Sequence, residues 1–124
     1  MIQYPDLNPT ALSNVNTIIV KSIVVRNADS TGTIDKAVIP ARANILKIEV
    51  NVPVGTATAT LSIGAKGVSA TRFVNATTVA TAGQISPAAL NLGNQSETTD
   101  TIITTTVGTT AVTSDIFVNI YYVR

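Results

Sequence analysis

The sequence predicts an all-β fold, an antiparallel two-sheet β-sandwich that is jelly-roll-like and carries an extended N-terminal arm. Residues 45–52 alternate apolar and polar side chains with a period of two, as a half-buried strand requires. Turn residues punctuate the chain about every 8 to 12 positions, leaving about seven or eight short strand-like segments and no alternation of strands with helices. About 20 threonines among 124 residues suit a pleated surface and disfavour helices.

Residues 1–14 carry Pro5 and Pro9 and no sustained period. Proline removes a backbone donor and keeps its neighbours extended, so this segment is expected to be an arm outside the sandwich of residues 15–124. Ile2, Tyr4, Leu7 and Leu12 give the arm apolar anchors that a solvated tail does not need. They are the candidate partner-binding residues.

Residues 15–26 are dense in β-branched side chains and predict one long strand, or two bent near Lys21 and Ser22. Residues 27–32 read as a turn, and residues 33–39 as a strand closed by Pro40. In residues 45–52, Leu46, Ile48, Val50 and Val52 are expected inward, with Ile45, Lys47, Glu49 and Asn51 outward. After Pro53, Val54 and Gly55 the alternation resumes, with Ala57, Ala59, Leu61 and Ile63 inward and Thr56, Thr58, Thr60 and Ser62 outward. The two segments together read as a hairpin.

Residues 65–70 then read as a loop, 71–74 as a short extended segment and 77–82 as a further strand ended by Gly83. Residues 85–92 offer the one place for a helical turn, with Pro87 suited to its first position. Residues 93–97 read as loop, 98–107 as a strand and 108–114 as a turn. The last strand, 115–123, places Ile116, Val118, Ile120 and Tyr122 on one face and Phe117, Asn119, Tyr121 and Val123 on the other. Both faces are largely apolar, which places this strand at the centre of a sheet or at an interface. Phe117, Tyr121 and Val123 are the candidate oligomer-interface residues. Periodicity leaves jelly-roll and immunoglobulin-like connections both open, because the two differ in chain path and not in pattern.

Composition narrows the function. Charged residues make up only 12% of the chain and hydrophobic ones 45%, with a mean hydropathy of +0.36. No apolar run reaches the about 18 residues of a membrane helix, and no basic segment followed by an apolar block marks a signal peptide. A surface so poor in charge is expected to be covered by copies of the chain or by a partner. The net charge is +1 and the eight basic residues are scattered singly, which gives no footprint for nucleic acid.

Cysteine and histidine are absent, which removes thiol chemistry, the commonest general base and the usual zinc ligands. Glu49 lies on the wet face of its strand beside Lys47, in the pattern of a solvated surface pair. Asp29 and Asp35 flank a glycine turn, and Glu97 and Asp100 form a looser pair. Each supplies two carboxylates where a calcium loop needs six to eight oxygens. Gly64 to Gly67 encloses Lys66 without a phosphate-loop pattern. Sugar binding would want aromatic platforms, yet only Tyr4, Phe73, Phe117, Tyr121 and Tyr122 are aromatic. No catalytic, cofactor-binding or metal-ligating residue is therefore expected, and no small-molecule substrate.

The run IPARANILKIEVNV over residues 39–52, then ATLSIG over residues 59–64, resembles small structural proteins of tailed bacteriophages. In those, an IPA-x-A segment leads into a long strand, the next strand ends in SIG or TVG, and the terminal strand is rich in Val, Ile and Tyr. Residues 72–82 and 115–124 match the corresponding places, so the resemblance covers about two thirds of the chain and excludes the arm. It implies a virion role without catalytic residues: a capsid decoration (cement) protein, jelly-roll-like and homotrimeric, made in the host cytoplasm and bound to the major capsid protein on the capsid surface. The alternative it implies is a receptor- or glycan-binding module of a phage head or tail fibre. The lack of a repetitive shaft favours decoration.

Overall fold

The computed structural model describes residues 17–27, 29, 31–86, 93–94 and 99–123. The strands are β1 (Ile19–Val25), β2 (Gly32–Ile39), β3 (Asn44–Val52), β4 (Thr60–Ala65), β5 (Ser69–Thr78), β6 (Gly83–Ile85), β7 (Gly93–Asn94), β8 (Thr101–Gly108) and β9 (Ile116–Val123). They form two antiparallel sheets. Sheet A runs β1-β9-β3-β6, with β7 also paired to β3, and sheet B runs β2-β8-β4-β5. Among the described residues there is no helix. The arm anchors Ile2, Tyr4, Leu7 and Leu12 lie outside the described residues, as does most of the expected helical turn. Its first residue, Ile85, is the end of strand β6.

Chain path separates the two sandwich types. In an immunoglobulin-like domain the first two strands share a sheet. Here β1, β2, β3 and β4 alternate between sheets, β9 returns between β1 and β3, and β8 returns between β2 and β4. The nested pairs β1–β9 and β2–β8 are those of a ribbon rolled across the gap between two sheets, which is the jelly roll.

The path also corrects the hairpin. Strands β3 and β4 lie in opposite sheets, and residues 53–59 carry the chain across the sandwich edge. A period of two reports that a strand has one buried face, and it is silent on which strand is its neighbour. Within the crossing the alternation does not hold, so Thr56 is buried and Ala57 exposed, the reverse of expectation. Thr56 N–H donates to the Val79 carbonyl at 3.0 Å, and its hydroxyl accepts the Thr113 N–H at 3.0 Å. Gly55 sits so close to the chain that a Cβ there would lie 2.1 Å from the Ala80 carbonyl oxygen.

The preceding crossing, from β2 to β3, is tighter. Pro40 ends β2, the Ala43 N–H reaches the Pro40 carbonyl at 3.3 Å, and Arg42 takes the left-handed conformation at φ 60°. Ala43 is fully buried, so a larger side chain there would meet the core. The IPARA segment is thus a corner between sheets.

A β-bulge corrects the start of β3. Ile45 pairs with Tyr122 and Lys47 with Tyr121, which leaves Leu46 as an extra residue. A bulge shifts the alternation by one, so Ile45 is buried and Leu46 is exposed. The expected loop at 65–70 and the segments 71–74 and 77–82 resolve differently too. The end of that loop, the whole of 71–74 and the first two residues of 77–82 belong to the single ten-residue strand β5, whose pairing with β4 shifts register twice.

The core lies between the sheets and is filled mainly by β-branched side chains, including Ile45, Val50 and Ile120 from sheet A and Ile63 and Ile103 from sheet B, with Leu61 beside them. Phe73 is the largest fully buried side chain. Lys21, opposite Ile120 on the inward face of edge strand β1, is an inward charge of the kind that discourages edge-to-edge pairing.

Candidate functional site

Strand β9 occupies the middle of sheet A, and the structure places Phe117, Asn119, Tyr121 and Val123 on its outward face, as the alternation requires. Residues opposite one another in an antiparallel pair share a face. The outer surface is therefore laid out in rows: Val20–Tyr121–Lys47, Ser22–Asn119–Glu49, and Val24–Phe117–Asn51–Gln84. The three residues expected at an interface thus lie on one line, with Asn119 between Phe117 and Tyr121. Phe117 is 44% exposed, which removes it from the core. Tyr121 and Val123 are half-buried.

A hydrogen-bonded cluster stiffens the middle of this face. Tyr121 donates its phenol proton to Glu49 Oε1 at 2.6 Å, and Gln84 Nε2 donates to Glu49 Oε2 at 2.7 Å. Lys47 Nζ lies 3.4 Å from the same Oε2 and 4.7 Å from the centre of the Tyr121 ring. In the neighbouring column Ser22 donates to Asn119 Oδ1 at 2.7 Å. The Tyr121 hydrogen bond is the largest cause that holds the Glu49 carboxyl below its ordinary value, with burial opposing it. The same bond pushes the Tyr121 phenol upward.

Glu49 is therefore not the solvated surface residue that its place beside Lys47 suggests. Its side chain is only 13% exposed and three neighbours hold it. An ionised carboxylate with its oxygens engaged is the opposite of a carboxyl poised to give or take a proton near neutrality. What the cluster does is fix side chains across β3, β6 and β9, so the face presents one shape to whatever covers it.

Apolar side chains are exposed beside that cluster. Of the eight large hydrophobic side chains exposed among the described residues, Val20 and Phe117 stand on the outer face of sheet A, Leu46 at the bulge of β3, and Ile18 immediately precedes β1, while Ile19, opposite Tyr122, is on the inward face at the end of β1. Val38 is the only one on a strand of sheet B, and Val54 and Val68 lie in connections. Exposed apolar side chains gathered on one sheet are the feature that marks a surface open to a partner.

The other carboxylates brace turns. Asp29 Oδ2 receives Lys36 Nζ at 2.7 Å and the Arg26 N–H at 3.0 Å, and the Lys36 hydrogen bond chiefly holds its carboxyl below the ordinary value. Asp35 instead pairs with Lys66 at 2.8 Å, so the two acids expected to share a turn serve different partners. Asp115 accepts the Asn27 N–H, and Asp100 accepts the Ala41 N–H. Among the described residues no three metal-ligating side chains come together.

The sequence matches no family model and no curated protein. Solved phage capsids do contain similar chains. One, in the capsid asymmetric unit of cyanophage Pam1, is 28% identical with a TM-score of 0.59, over 85% of this chain and 83% of that one. A chain of the acid-stable capsid of Helicobacter pylori bacteriophage KHP30 superposes with a TM-score of 0.65 at 14% identity, over 86% and 87% of the two chains. A chain of the Ralstonia phage GP4 capsid does so with a TM-score of 0.62 at 15% identity, over 88% and 85%. The likeness to phage virion structural proteins carried by the IPARA and SIG segments is thus a likeness of the whole sandwich.

Proposed function

We propose that this chain, a virion structural protein of phage type, is a capsid decoration (cement) protein that binds the major capsid protein and stabilises the shell as a homotrimer. The outer face of sheet A forms the subunit contact through Phe117, Tyr121 and Val123, and the arm reaches the capsid through Ile2, Tyr4, Leu7 and Leu12. The reading is carried by the exposed apolar side chains flanking the braced Glu49–Tyr121 cluster. The 28% identical chain from the cyanophage Pam1 capsid supports it.

Physically the role suits the fold. A cement protein must hold its shape while the shell under it is strained, and a jelly roll with a rigid outer face does so. Modest contacts repeated over symmetric copies add by multivalency. No step requires a nucleophile, a cofactor, nucleic acid or a membrane.

The test is reconstitution on particles that lack the protein. Purified protein added to them is expected to co-sediment and to raise the temperature at which they release DNA. Failure to bind, with the protein folded, would remove the decoration role and leave the fibre-module alternative.

A further inference from the structure

The strand ends divide the sandwich into two poles of different make-up. Pairing gathers the starts of β1, β3, β5 and β8 and the ends of β2, β4 and β9 at one pole, where the IPARA corner joins the two sheets. Six of the eight exposed large hydrophobic side chains among the described residues belong to this pole. Ile18, Ile19 and Val20 stand at the entry to β1, Val38 near the end of β2, Leu46 near the start of β3 and Val68 in the β4–β5 turn. Val68 at 59% and Ile18 at 57% are the most exposed of the eight. They come from both sheets, so a contact through the face of sheet A leaves Val38 and Val68 uncovered. The far pole has only Val54 and Phe117 of the eight, and hydroxyl pairs stitch its crossings, Thr56 with Thr113 at 3.1 Å and Thr58 with Thr110 at 2.8 Å.

The apolar pole also carries a cation that the fold does not use. Arg42 is exposed, and no hydrogen bond or ion pair joins its guanidinium to any described residue. It stands at φ 60°, a left-handed position where asparagine or glycine costs less than arginine. Its corner is pinned on both sides, by the Ala43 N–H to the Pro40 carbonyl at 3.3 Å and by the Ala41 N–H to Asp100 Oδ1 at 3.0 Å. A fixed arginine together with exposed apolar side chains is the composition that protein interfaces favour.

We propose that this pole is the face the sandwich sets on the shell, and that it takes an apolar protein surface with a carboxylate opposite Arg42. The proposal rests on the decoration reading and adds which surface of the sandwich meets the shell. The line of Phe117, Tyr121 and Val123 faces sideways from the strands. In a cluster of three with its axis along the strands, those faces meet and the three poles all point one way. The chain also enters β1 from this pole, with Thr17 its first described residue, so the arm is rooted on the side of the shell. A second copy docked pole to pole would instead add a second unpaired Arg42, a like charge where an opposite one is needed.

The test is co-sedimentation of the full chain with particles that lack it, over a range of salt, alongside light scattering of the free protein. Val68→Asp and Arg42→Asn are each expected to weaken binding by about tenfold or more, with the melting curve and oligomeric state of the parent retained. Asparagine accepts the left-handed corner, so Arg42→Asn removes the charge without straining the fold. Arg42→Lys keeps the charge and is expected to bind more tightly than Arg42→Asn. Binding of the parent is expected to fall as salt rises, and less steeply in Arg42→Asn. Full-strength binding by both Val68→Asp and Arg42→Asn overturns the docking face and leaves the decoration role standing. A parent that does not bind removes that role and this proposal with it. Loss of oligomers in either variant would assign the pole to the subunit contact and overturn the proposal too.

Discussion

Phe117→Asp separates folding from assembly. Phe117 faces outward and is 44% exposed, so a ring of about 200 Å² leaves about 90 Å² to be covered by a partner. At about 25 cal/mol per Å² that is about 2 kcal/mol per copy, a factor of about 30 in each subunit contact. Aspartate loses this and adds a charge that must be dehydrated in the contact, at a further cost of several kcal/mol. The isolated sandwich loses little, because the position is solvated there. Light scattering at micromolar concentration is expected to show oligomers for the parent and monomers for the variant, with matching circular dichroism spectra. A parent that is already monomeric, or a variant that still associates, refutes the assignment of this face. Loss of fold in the variant would mean that Phe117 supports the core, against its exposure.

Gly64→Ala is expected to lower stability by about 1–3 kcal/mol, because the new methyl meets the backbone of Ser69 and Ala70 rather than a movable side chain; an unchanged thermal midpoint would show that β5 does not press on Gly64. The depressed Glu49 and Asp29 carboxyls contribute stability above their unfolded values of about 4.5 and 3.8 that is lost as pH falls through their folded values. The melting temperature should therefore decline below about pH 4.5, less steeply in Glu49→Gln, and an identical acid limb in that variant would contradict the cluster. The raised Tyr121 phenol has the opposite sign: its contribution is complete below about pH 10 and is lost as pH rises through the folded value, so Tyr121→Phe should flatten the alkaline limb. Deleting residues 1–14 is expected to leave the melting transition near its parent value while weakening attachment to particles by at least about tenfold, since burying a side chain such as Leu7 contributes about 1.5–3 kcal/mol before ordering costs. A truncated chain that fails to fold would place the arm in the core.

How much of this was legible follows from what each signal reports. The alternation of Ile116, Val118, Ile120 and Tyr122 survives intact because β9 has a neighbour on both sides and runs without a bulge where it meets β1. The alternation at Leu46 fails because a bulge is a property of the paired strand, and nothing in residues 45–47 alone distinguishes an extra residue from an in-register one. The hairpin of β3 and β4 fails for a related reason: Pro53 and Gly55 announce a reversal of direction but not the sheet that receives the chain. Of the interface line, the outward placement of Phe117, Tyr121 and Val123 follows from period two. The carboxylate that Tyr121 holds sits 72 positions away, and only the register of β3 against β9 brings them together. Asp29 and Asp35 look like one turn in sequence, yet the bulge at Lys36 between Asp35 and Ala37 accompanies their division between two lysines.

An electron cryo-microscopy reconstruction of the intact phage particle tests the virion role most directly. A decoration role predicts jelly-roll density in symmetric clusters of three on the outside of the shell, with the sheet A faces meeting at the cluster axis and residues 1–14 running to the major capsid protein. Density for this chain only at a fibre end, or no density for it anywhere in the particle, would contradict that role.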